Sequence, residues 1–74
     1  MFQKFKLKKQ IEKSKNMIAL LEQKRTRSQA ALVEAILSHT SPKDEDVDFF
    51  NRFTAQIEDE RAHMHRLMDE LNKL

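Results

Sequence analysis

The chain has 74 residues, 14 of them Lys or Arg and 12 Asp or Glu, so it holds one small domain with a net charge of +2. Glycine and cysteine are absent and proline occurs once. Gly-rich phosphate loops, tight hairpin turns, disulfide frameworks and thiolate metal sites are therefore excluded.

Ala, Glu, Lys, Leu and Arg make up almost half of the chain, the composition of long helices and coiled coils. No apolar run approaches the roughly 18 residues that cross a bilayer. The charged start MFQKFKLKKQ has no apolar stretch behind it, so a secretory signal is not expected and the chain is read as cytoplasmic.

A first helix is predicted over residues 3–39. It opens on a basic cluster of Lys4, Lys6, Lys8, Lys9, Lys13 and Lys15, with Arg27 further on. Such a cationic surface is all that phosphate-backbone binding requires, so these seven residues are candidate nucleic-acid contacts. Solvation of the helix end and charge balance within the molecule are the preferred account of them, with nucleic-acid contact the alternative. Residues 1–28 carry nine Lys or Arg against two acids, and residues 29–74 carry five against ten. Phe2 and Phe5 sit among the lysines, where they are expected to cover the open end of the helices near Leu71 and Leu74. They would be a weak anchor on an anionic membrane, and membrane binding is not expected.

Leu7, Ile11, Ser14, Ile18, Leu21, Arg25, Ser28, Leu32, Ala35 and His39 follow one another at alternating steps of four and three. That is a heptad seam. Beside it, Met17, Leu20, Ala31, Val33, Ile36 and Leu37 widen the apolar stripe. The stretch Ala30 to Leu37 is apolar nearly all round, a pattern of helices buried on more than one side.

The pattern breaks once, at His39-Thr40-Ser41-Pro42. The residue before a proline is pushed out of the α region, so a turn is predicted at residues 40–41. Ser41 is then the expected N-cap, Pro42 the first helical residue and Asp44 the acidic member of a capping box. Glu45, Asp46 and Asp48 add negative charge where the helix dipole favours it.

A second helix follows over residues 42–73. Its seam is Phe50, Phe53, Ile57, Glu60, Met64, Leu67, Leu71 and Leu74, and Val47, Phe49 and Met68 widen it. Two long helices with one short connection form an antiparallel hairpin. Aligning residues whose numbers sum to about 85 sets Ala35 against Phe50, Ser28 against Ile57 and Leu21 against Met64. The same alignment places Arg25 opposite Glu60, and a partly buried ion pair is expected there. Replacing Glu60 alone would then strand the arginine, at a greater cost than replacing both by leucine.

The fold class is thus all-α, a two-helix hairpin forming a single domain over residues 1–74. One thin core rarely suffices at this size, so a partner is expected. A second copy, giving a four-helix bundle, is the most economical one, and another helical protein is the other. The candidate interaction patch is Met17, Leu20, Val33, Leu37, Val47, Phe49 and Met68. In outline the chain resembles the Rop family of RNA-binding hairpins. The resemblance covers length, a single turn and the heptad seams, and it implies dimerisation. No sequence motif carries it, so no site residue is transferred.

Catalysis, a cofactor and a metal site are not expected. His63 and His65 are two apart and point to different faces of a helix. Glu60 and His63 have the Glu-x-x-His spacing of di-iron bundles, but that chemistry needs carboxylates on the facing helix, where the alignment places Arg25. Ser14 and Ser28 have no histidine opposite. The reading is a non-enzymatic interaction module, a small adaptor or regulator acting as a homodimeric hairpin. A nucleic-acid-binding regulator using the lysine-rich start is the alternative.

Overall fold

A computed structural model describes residues 2–74. Helix α1 runs from Phe2 to Leu37 and helix α2 from Asp44 to Asn72. The two lie side by side as a hairpin 57 Å long and about 15 Å across, and no strand occurs among the described residues.

Burial follows the seams. Leu7, Ser14, Ile18 and Leu21 of α1 and Ile57 and Leu67 of α2 are buried. The remaining seam positions are half-buried, except His39 and Leu74, where the seam ends. The tightest packing is at mid-length, where Ile57 meets Ile18 and Leu21, with Phe53 and Met64 against them.

Both ends of the turn differ from expectation. Helix α1 stops at Leu37, and His39 takes a left-handed backbone with φ of 58°. The His39 N–H donates to the Ile36 carbonyl at 3.1 Å and the Thr40 N–H to the Ala35 carbonyl at 2.9 Å. This is a Schellman cap, with histidine where glycine is usual. Residues 40–43 then cross to the second helix axis outside any helix, with Lys43 in extended conformation.

Helix α2 accordingly begins later than predicted. Its N-cap is Lys43, in extended conformation and without a side-chain cap hydrogen bond. Ser41 is not the cap and Pro42 is not the first helical residue, because both are used in the crossing. Asp44, Glu45 and Asp46 occupy the first turn, so the dipole complement is retained without the capping box.

The left-handed φ costs a residue with a Cβ about 1–2 kcal/mol, part of which glycine gives back as unfolded-state entropy. His39→Gly is therefore expected to stabilise the fold by about 1 kcal/mol. Thermal unfolding followed by circular dichroism checks this, and an unchanged or lower midpoint contradicts it.

The register also differs, by roughly seven to eleven residues along α1. The reversal at His39 draws α2 back alongside α1, so Lys43 borders the same crevice as Ala31 and Ala35. Ile57 accordingly meets Ile18 and Leu21 instead of Ser28. The expected Arg25–Glu60 ion pair does not form. Glu60 instead lies across from Ser14, whose hydroxyl donates to Glu60 Oε1 at 2.7 Å.

Candidate interaction surface

With the seam turned inward, each helix offers two flanks. One is marked by Glu22 and Arg61, whose side chains form an ion pair at 2.6 Å across the two helices. Heptad spacing puts Lys8, Lys15, Gln29 and Ile36 in the Glu22 row, and Val47, Thr54 and Met68 in the Arg61 row. Phe5, Ala19 and Val33 form the next row outward on the same side. The pair itself is half exposed, so it adds roughly 0–1 kcal/mol and mainly neutralises the middle of this flank.

Met17 marks the other flank, where it borders one recess with Ser14, Glu60 and His63 and another with Gln56 and Asp59. Leu20, Ala31 and Phe49 share this side by spacing. Phe49 stacks on Phe53, with ring centroids 6.2 Å apart, and the Arg52 guanidinium covers its ring at 5.7 Å.

All seven residues of the expected interaction patch are exposed, yet they do not form one surface. Val33, Val47 and Met68 lie on the Glu22–Arg61 flank. Met17, Leu20 and Phe49 lie on the opposite one. Leu37 lies on the back of α1, where it lines a shallow depression with Ala30, Val33 and Glu34. Sequence reasoning passed over Ile36, 63% exposed, and Phe5, 60% exposed, as members of the first flank. The signal was available, since Ile36 stands two heptads after Glu22, but the significance of that row depends on knowing where Glu22 points.

The basic cluster is fully presented. Lys4, Lys6, Lys8, Lys9, Lys13, Lys15 and Arg27 are all exposed. Lys9 sits 5.1 Å from the centre of the Phe5 ring. Phe2 is 91% exposed and Leu74 59%, so the aromatic start does not cover the open end of the hairpin as expected.

The recess at mid-flank has a volume of about 270 Å³ and is lined by Gln10, Lys13, Ser14, Met17, Glu60 and His63. The Ser14 hydroxyl is committed to the Glu60 carboxylate, and the arrangement ties one helix to the other. No group of three His, Asp or Glu side chains gathers as a metal site among the described residues. No helix there is long and apolar enough to cross a membrane. No family model, curated protein or solved structure matches the chain.

Proposed function

We propose that the chain is a non-enzymatic interaction module, a small cytoplasmic adaptor or regulator that works as a homodimer, two hairpins forming a four-helix bundle. One observation carries this reading. Among the described residues, five hydrophobic side chains are buried, whereas eleven large ones remain exposed, including Ile36 at 63% and Leu37 at 75%. So thin a core is marginal for an isolated domain, and the exposed side chains run the length of the hairpin. Association of two copies removes apolar surface from water on both.

The test is the solution mass at low micromolar concentration, by light scattering with refractive-index detection, because the chain lacks Trp and Tyr. A mass near twice 8.8 kDa is expected. A folded monomer would overturn the homodimer and move the search to a different helical partner.

The exposed lysines support the nucleic-acid reading as the alternative. It requires that RNA or DNA binding be measurable at low salt and fall steeply, by about 10³-fold or more, between 50 and 200 mM salt if six or more phosphates are contacted. Absence of binding at low salt by the folded protein rejects it.

A further inference from the structure

We propose that the two hairpins of the dimer lie antiparallel, joined through the Glu22–Arg61 flank, with the open end of each against the turn end of the other. This rests on the homodimer proposed above and specifies its face and orientation.

The choice of face follows from what each flank would desolvate. The Glu22–Arg61 flank carries Phe5, Val33, Ile36, Val47 and Met68, all exposed, with Ala19 near its middle. Glu22 and Arg61 pair with each other, and the remaining charges of this flank are Lys8, Lys15, Glu12, Asp44 and Glu58. The opposite flank carries more of them around Met17 and Leu20, with Lys13, Lys24, Arg27, Arg52, Asp59 and Arg66 along its middle and further charges at both ends. Burying unpaired charges costs far more than burying alkyl groups gains. A face 57 Å long and about 15 Å wide offers on the order of 800 Å² per partner, the usual size of a stable interface.

Orientation follows from where the apolar groups and the charges fall along the axis. Phe5 and Met68 lie toward the open end, and Val33, Ile36 and Val47 toward the turn. A two-fold axis at mid-length, near Ala19, brings Phe5 and Met68 of one copy onto Ile36 and Val47 of the other. A parallel pairing would bury the same groups, like against like. Charge separates the two arrangements.

The open end, residues 2–10 with 68–74, holds five Lys and two acids, or +3. The turn end, residues 31–48, holds one Lys and five acids, or −4. Parallel hairpins would set +3 beside +3 and −4 beside −4. Antiparallel hairpins set each cationic end beside an anionic one. Like-charge juxtaposition is the stronger discriminator of orientation.

The full-length protein tests this directly, because it has no cysteine to remove. Ser41→Cys, at the exposed turn, takes one spin label per chain, so every measured distance is between chains. In the antiparallel dimer the labels stand at opposite ends, about 50 Å apart for helices of this length. A dimeric mass with a distance under about 40 Å overturns the orientation while leaving the homodimer standing. A monomeric mass with no inter-chain distance overturns the homodimer and this arrangement with it.

The face is tested by Ile36→Glu, expected to weaken dimerisation at least tenfold, and by Leu20→Glu on the other flank, expected to leave it unchanged. The reverse pattern, with helicity intact in both variants, overturns the choice of face.

Discussion

Ile57→Ala is expected to lower the unfolding free energy by about 3 kcal/mol and the melting temperature by about 15 °C, the largest effect of any single truncation in the chain. Ile57 is 1% exposed, the most enclosed large side chain among the described residues. It packs on Ile18 and Leu21 of the facing helix, with Phe53 and Met64 to either side. Removing its outer carbons forfeits their transfer energy and leaves a cavity between two straight helices. Neither helix can collapse into that space without breaking the seam above and below.

A domain of this length has a total stability of about 4–11 kcal/mol, so the loss is a large fraction of the whole. Ile57→Val removes one methylene and is expected to cost about 1 kcal/mol. Thermal and urea unfolding at one fixed protein concentration measure both. If the two variants were equal, or both neutral, mid-length packing would not be what holds the helices together.

Ser14→Ala is expected to cost about 1.5–2 kcal/mol, an unusually large effect for deleting one hydroxyl. Ser14 is 3% exposed and lies on the seam, and its bond to the Glu60 carboxylate is short, at 2.7 Å. With alanine there, the half-buried carboxylate keeps its desolvation and loses its donor.

Glu60→Leu acts in the other direction. It restores an apolar seam residue, and the freed Ser14 hydroxyl can turn back to a carbonyl of its own helix. The leucine variant is expected to be neutral or more stable. The double variant Ser14→Ala/Glu60→Leu is expected to be at least as stable as the natural chain. The cycle formed by these proteins yields a coupling of about 1–2 kcal/mol. A coupling below about 0.3 kcal/mol would mean that the Ser14–Glu60 contact does not tie the helices together. Under the Arg25–Glu60 pairing expected from sequence, Ser14→Ala would instead be nearly silent and Glu60→Leu harmful, so one set of four proteins separates the two registers.

Glu60 separates what is local to one helix from what depends on both. Its position on the seam was legible, because a heptad is a property of one helix and needs no knowledge of the other. Its partner was not. Arg25 and Ser14 stand on the same seam of α1, and which of them lies level with Glu60 depends on how the chain reverses. The basic cluster was legible in the same local way, and its exposure follows from its members lying outside the seam, which begins at Leu7. The exposed patch was not, because seven apolar residues chosen by type belong to two flanks and the back of α1.

The sequence by itself determined that the protein is two long helices with one break, and which edge of each helix turns inward. Those features rest on three-and-four periodicity and on a proline that cannot continue a helix, both of which act within a few residues. The register, the caps and the Ser14–Glu60 bond arise only when the two helices meet. Two heptad seams remain apolar against each other after a slide of two or three seam steps, so hydrophobic pattern cannot distinguish neighbouring alignments. The left-handed backbone at His39 and the single hydroxyl–carboxylate contact at Ser14 break that degeneracy.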